Sequence, residues 1–143
     1  MAKTVKEGVY PLDALVEVME KLRSDSGCPW DRKQTHQSLK PYLIEEAYEV
    51  IEAIEAENMY SLREELGDLL LQIVFHAQLA KERADFDLND VIAGITEKMK
   101  RRHPHVFEKE EKISTREVID NWEKIKTEEK KGRAEKVGYL EVP

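Results

Sequence analysis

The side chains best suited to chemistry in this sequence are acidic and come in two groups, Glu45-Glu46-Ala47-Tyr48-Glu49 and Glu65-Leu66-Gly67-Asp68. In each group two carboxylates stand three residues apart, which on an α-helix puts them on adjacent turns of one face. The pairs are Glu46 with Glu49 and Glu65 with Asp68. At about 100° per residue, Val50 lies roughly 40° from Glu46 on one side and Glu49 about 60° on the other, so both acids border an apolar face. Glu45, Glu52 and Glu55 project further from that face, where a solvated surface is the usual place for glutamate. Asp68 interrupts the most apolar stretch of the chain, Leu66 to Ala80. Burial there, unpaired, is costly to a carboxylate, so a compensating cation is expected. A solvated acidic face accounts for Glu46 and Glu49 alone but leaves Asp68 unexplained. Four oxygen donors, Glu46, Glu49, Glu65 and Asp68, with no thiolate or imidazole beside them, suit a hard ion such as Mg²⁺. A di-iron centre would need Glu-x-x-His, and no Glu stands three residues before His36, His76, His103 or His105.

These acids must be positioned by helices, because periodic segments of the helical kind account for nearly all the apolar residues. Leu12, Leu15, Val16, Met19 and Leu22 predict a first helix that opens at Pro11. Ser26-Gly27-Cys28-Pro29 ends it and begins a polar loop to about Ser38. A second helix is expected from near Pro41 to Glu57, with Leu43, Ala47, Val50, Ile51 and Ile54 on one face. Ser61 and Glu64 read as a capping box for a third helix that reaches about Arg83. The short connection at Asn58–Tyr60 makes these two antiparallel neighbours, so that their acidic pairs face each other. Asp87 and Asp90 open a fourth helix that Pro104 stops, and Ser114 with Glu117 caps a fifth. The fold class is all-α, an antiparallel bundle of about five helices, with a domain over residues 1–131 and a tail or linker over 132–143.

The third helix has its main apolar stripe at Leu62, Leu66, Leu69, Leu70, Ile73, Ala77 and Ala80, with Leu71, Phe75 and Leu79 elsewhere on the circumference. A helix apolar almost all round is buried on more than one side. In a chain of 143 residues the second side is most simply another subunit, so a homodimer or homotetramer is expected.

Composition narrows the partners. Thirty Asp and Glu against 23 Lys and Arg leave a net charge of −7, which argues against non-specific nucleic-acid binding. It leaves room for a small phosphorylated ligand met by a local basic cluster or a bound cation. Mean hydropathy is −0.63, and polar residues break every apolar run short of the ~20 residues that span a bilayer. Lys3, Lys6, Glu7, Asp13, Glu17 and Glu20 leave no apolar leader. The single cysteine, Cys28, excludes an intramolecular disulfide framework and fits a reducing cytoplasm.

Beyond the acids, Cys28-Pro29-Trp30-Asp31, Gln34-Thr35, the run from Leu43 to Glu49, the run from Leu62 to Leu70, and Arg101-Arg102-His103-Pro104-His105-Val106-Phe107 occur in that order. In this combination the chain resembles the MazG family of all-α nucleoside triphosphate pyrophosphohydrolases, over about Leu12 to Lys130. Members often carry two such domains in tandem, so one domain here matches either a single-domain member or an amino-terminal half.

The resemblance implies hydrolysis of a nucleoside triphosphate between its α- and β-phosphorus to a nucleoside monophosphate and pyrophosphate, in clearance of non-standard or surplus nucleotides. It implies Glu46, Glu49, Glu65 and Asp68 as Mg²⁺ ligands, with Mn²⁺ able to substitute. Glu45, with Glu46 and Glu49, belongs to the catalytic acids and would orient water or a second ion. Arg101 and Arg102 become a clamp on the β- and γ-phosphates, beside the plainer reading that cations complement a helix C-terminus. Lys124 and Lys126 become phosphate contacts, where a solvated helix face is the alternative. Trp30 and Asp31 become nucleotide-pocket residues, against anchoring of the loop by Trp30 and turn capping by Asp31. Two other readings use the same residues. One is a narrow substrate such as dUTP, dCTP or phosphoribosyl-ATP; the other is a non-catalytic bundle that senses nucleotide.

Overall fold

Local signals place each helix end, and the computed structural model describes the result for residues 11–137. The helices are α1 (Pro11–Leu22), α2 (Pro29–Lys33), α3 (His36–Glu55), α4 (Met59–Glu82), α5 (Leu88–Arg102), α6 (Pro104–Phe107) and α7 (Thr115–Val137). No strand occurs among the described residues. Five long helices match the expected ones, while α2 and α6 are single turns inside segments read as loop. Each of these starts with a proline at its first position, where the missing N–H costs nothing. Residues 1–10 and 138–143 lie outside the described part, including the end of the expected tail. Its start does not fray at Gly132, because α7 continues to Val137.

Two helix starts differ from expectation. The second long helix begins five residues before Pro41, because Thr35 and Ser38 form a reciprocal capping box. Pro41 then sits inside α3 and leaves the Gln37 carbonyl without its i+4 donor, which an exposed turn can give to water. The third long helix begins at Met59, since the Asn58 side chain accepts from the Ser61 N–H at 3.1 Å. That bond makes Asn58 the cap in place of Ser61. The caps of α5 and α7 are the expected reciprocal pairs Asp87/Asp90 and Ser114/Glu117.

The chain divides into two compact units, Met1–Val91 and Ile92–Pro143. In the first, α4 packs against both α3 and α1. The core is Met19 of α1, Leu39 of α3, and Val74, Phe75 and Leu79 of α4, with Leu12, Leu15, Val16, Leu71 and Leu88 packed against it. The C-terminal half of α4 is thus covered on several sides within one chain, α1 supplying part of what a second subunit was expected to supply. Its stripe at Leu66, Leu70 and Ile73 stays exposed. On α3 the apolar stripe Ile44, Tyr48, Ile51 and Ile54 is exposed too, while Leu39 and Ala53 are buried. The face that α3 turns toward α4 is therefore the acid-bearing one, opposite to the face picked out by hydrophobicity.

Arg23 fastens the segment that follows α1. Its Nη1 donates to the Asp31 carbonyl at 2.6 Å, and its Nη2 pairs with Glu82 of α4 at 2.5 Å. Gly27 lies where a Cβ would meet the Leu22 and Lys21 carbonyl oxygens at 2.2 Å, so no larger residue fits that turn. In the second unit, Glu129 of α7 binds Arg101 and Arg102 of α5, and the His103 and Trp122 rings meet edge to face at 5.5 Å.

Both ends of the α3–α4 hairpin close with paired 6→1 and 5→2 backbone bonds, Asn58 to Ala53 with Glu57 to Ile54, and Asp85 to Ala80 with Ala84 to Lys81. This closure needs a left-handed residue, usually glycine, and here Glu57 (φ 54°) and Ala84 (φ 62°) occupy it. The left-handed conformation costs a residue with a Cβ about 1–2 kcal/mol. Glu57→Gly and Ala84→Gly are each expected to stabilise the fold by about 1 kcal/mol, raising the melting temperature by roughly 3 °C. A fall in melting temperature for both would contradict this closure.

Candidate metal centre

The antiparallel register brings residues of α3 and α4 together in rungs. Thr35 sets the start of α3 and Asn58 the start of α4, which places Glu49 against Glu65 at one end and His36 against His76 at the other. Glu46, Glu49 and Glu65 each offer a carboxylate oxygen, and these oxygens all lie within 4.8 Å of one another. One oxygen of Glu46 and one of Glu65, Oε1 in each case, are buried without a hydrogen-bond partner. An open cleft of about 350 Å³ adjoins them, lined by Glu49, Glu52, Ala53, Ala56, Asn58, Ser61 and Glu65.

The electrostatics follow from that crowding. Desolvation, a hydrogen bond from Glu65 to Glu49 and the charges of Glu49, Asp68 and Glu46 raise the Glu65 carboxyl to about 7. Glu46 is raised as well, by desolvation first and then by Asp68, Glu49 and Glu45. Carboxylates with no cation beside them resist ionisation in this way because their charges repel at short range. The donor set is all oxygen, half-buried and held on two helices that start from fixed caps, which fits a hard divalent cation.

Asp68 departs from the sequence expectation. It is exposed, so its position in an apolar run does not bury it, and the orphaned buried oxygens belong to Glu46 and Glu65 instead. The reason is that Leu66, Gly67 and Leu70 around it are exposed in the single chain, and no second layer covers that part of α4. Asp68 lies outside the tight group of three, yet near enough for its charge to act on Glu46 and Glu65. Glu45 is exposed on the neighbouring face of α3.

Of the other candidates, Trp30 stands on α2 at 47% exposure, with its ring edge to face against Tyr42 at 5.6 Å and Phe75 at 6.5 Å. It anchors α2 to the core and still offers an open face. Asp31 is half-buried, and its carbonyl is held by Arg23. Arg101 and Arg102 belong to the second unit and are engaged by Glu129, with Arg101 also bound to Glu97. Lys124 and Lys126 are exposed on α7.

The sequence reading missed the His36–His76 pair. The two Nδ1 atoms lie 2.7 Å apart and the rings stack at 5.0 Å, so one ring donates and the other accepts. Burial, then the neighbouring His36, keep His76 below the ordinary histidine range. The pair continues the Glu49–Glu65 register along the two helices. That register was the signal available, once the true start of α3 was known.

A family model described as the MazG nucleotide pyrophosphohydrolase domain matches residues 34–107, a span that holds all the clustered acids together with Arg101 and Arg102. The chain is 54% identical over 137 residues to a protein of Thermotoga maritima named nucleoside triphosphate pyrophosphohydrolase/pyrophosphatase MazG, covering 95% of this chain and 52% of that one. It is 47% identical over 133 residues to the nucleoside triphosphate pyrophosphohydrolase of Escherichia coli K12, covering 92% and 51%. The chain thus spans about half the length of the curated relatives it matches. The crystal structure of a mazG-related protein from Thermotoga maritima superposes with a TM-score of 0.68 at 34% identity, over 80% of this chain and 98% of that one. Helices, acid spacing and these matches agree: the chain belongs to the MazG nucleotide pyrophosphohydrolase family.

Proposed function

We propose that this chain hydrolyses nucleoside triphosphates to nucleoside monophosphate and pyrophosphate, with Mg²⁺ or, in its place, Mn²⁺. The observation that carries the reading is the convergence of Glu46, Glu49 and Glu65 from two helices, with buried oxygens that lack partners. Asp68 completes the ligand set from the exposed edge of α4. A divalent cation bound there supplies charge neutralisation and Lewis acidity toward phosphate oxygens. The chain's own residues hold the cation in a fixed place, and a carboxylate among Glu45, Glu46 and Glu49 accepts the proton of the attacking water. The open face of Trp30, with Tyr42 beside it, gives a base a surface to stack on, and Asp31 lies next to it. Arg101, Arg102, Lys124 and Lys126 bind the phosphates, as the resemblance implies. The activity serves to clear non-standard or surplus nucleotides in the cytoplasm. Residues 1–131 carry it, and the segment after them is a tail or linker.

Among the described residues no helix is long and apolar enough to cross a membrane. The exposed Leu66, Leu70 and Ile73 on α4, with Ile44, Tyr48 and Ile51 on α3, instead support a second copy of the chain as their cover, in a homodimer or homotetramer.

The reaction is tested by incubating the protein with Mg²⁺ and a panel of ribo- and deoxyribonucleoside triphosphates and resolving the products by anion exchange. Nucleoside monophosphate and pyrophosphate are expected, with no turnover in EDTA, and Glu49→Gln should lose at least about a hundredfold in kcat. Nucleoside diphosphate and phosphate would place the cleaved bond elsewhere. No turnover by folded, Mg²⁺-binding protein would favour a sensor.

The raised Glu65 carboxyl sets a pH dependence. Because it holds its proton up to about pH 7, the cation must displace that proton, so Mg²⁺ affinity should fall as pH drops from 8 to 6. For the same reason the metal-free fold should lose stability as pH rises from about 4.5 to 7, and Mg²⁺ should restore it. Calorimetry at pH 7 in buffers of different ionisation enthalpy should register proton release on binding, absent in Glu65→Gln. Equal binding enthalpies for the wild type would contradict the shared proton.

Light scattering coupled to gel filtration is expected to give a dimer or tetramer, which Leu70→Glu with Ile73→Glu converts to monomer. A monomeric wild type would remove the second copy from the account.

A further inference from the structure

Consecutive residues on a helix point about 100° apart, so Arg101 and Arg102 have no intrinsic reason to converge. They converge on Glu129. Its Oε2 accepts from Arg101 Nε at 2.8 Å, and its Oε1 accepts from Arg102 Nη2 at 2.8 Å, with Arg102 Nε 3.5 Å from Oε2. Glu97, one turn before Arg101, takes the Nη1 of Arg101. Arg102 and Glu129 are 17% and 13% exposed, whereas Arg101 is 40% exposed. A half-buried carboxylate therefore draws two like charges together that would otherwise separate. It does so along one edge of each guanidinium. Among the described residues, Arg101 Nη2 and Arg102 Nη1 have no hydrogen-bond partner, so each planar fork keeps donors for a second anion.

We propose that Glu129 is a positioning residue that fixes Arg101 and Arg102 as a two-guanidinium seat for the terminal phosphates of the substrate, and for pyrophosphate as product. The inference rests on the pyrophosphohydrolase reading above and adds to it a residue that no motif singled out. Glu129 touches no substrate atom; it acts through the two arginines. Its carboxyl is held at about 2 by the hydrogen bonds from Arg102 and Arg101, so it keeps its charge across the whole working pH range. Two arginines with one glutamate leave a surplus positive charge at the seat, which Glu97 offsets only at the outer edge of Arg101.

The test compares Glu129→Gln and Glu129→Asp with the wild type in KM and kcat for a nucleoside triphosphate, in pyrophosphate binding with Mg²⁺ by calorimetry, and in melting temperature. Glu129→Gln should raise KM and weaken pyrophosphate binding by about tenfold each, as expected for about 1.4 kcal/mol of lost positioning, with kcat within about threefold. Nucleoside monophosphate binding should not change, and Glu129→Asp should recover most of the loss. In an Arg101→Gln/Arg102→Gln background, Glu129→Gln should add nothing further. A lower melting temperature with unchanged KM and unchanged pyrophosphate affinity would overturn the proposal and leave Glu129 a structural ion pair. Tighter pyrophosphate binding in Glu129→Gln would also overturn it, since Glu129 would then be a competitor for the seat. Absence of turnover by the wild type would instead overturn the pyrophosphohydrolase reading, and pyrophosphate binding would still decide whether Glu129 builds the seat.

Discussion

Three carboxylates held within 4.8 Å across the seam of α3 and α4 repel one another, and everything else in the first unit works to hold them there. Two elongated helices whose acid-bearing faces meet would separate if that contact stood alone. The contact is secured at the far end of the same helices, where Leu39 packs with Val74, Phe75 and Leu79 and Met19 closes the cluster from α1. Apolar burial of this kind is non-directional and strong enough to outweigh local repulsion. The raised carboxyl of Glu65 marks what the unneutralised site costs: the metal-free chain keeps a proton where a cation fits.

The hairpin is positioned by small backbone devices rather than by bulk. Thr35 and Ser38 start α3, Asn58 starts α4, and two six-residue closures end both helices. Since each helix is rigid, its start determines which residues share a rung, so Glu49 faces Glu65 only because α3 begins at His36. Arg23 then ties the turn carrying Trp30 to the end of α4 through Glu82, whose carboxyl it holds below the usual range. In the second unit one carboxylate performs the comparable task, gathering Arg101 and Arg102 on α5 to Glu129 on α7. In both units a half-buried ion pair sets the direction of a side chain or segment. Such pairs contribute specificity of arrangement more dependably than net stability.

Periodicity, caps and acid spacing were enough for an all-α chain, its five long helices, the hairpin that pairs the second and third of them, and the choice of Glu46, Glu49 and Glu65. These are local properties: a 3.6-residue repeat, a side chain that reaches its own backbone, carboxylates one turn apart. Which face of a helix points inward was not local. Hydrophobicity alone assigned Ile51 and Ile54 to the inside of α3, and in the single chain they are exposed, because the acid-bearing face meets α4. The same error made Asp68 look buried. The true register also revealed the His36–His76 contact, which joins residues 40 apart in sequence. Likewise Glu129 stood in a Lys/Glu-rich segment that reads as solvated, and only its partners on another helix distinguish it. The sequence by itself therefore determined the helices, their order and the chemistry of the acids, since those follow from neighbours along the chain. Tertiary structure decided which oxygens are buried, which apolar stripes remain open and where the arginines are aimed, because burial and long-range pairing depend on what another helix places opposite.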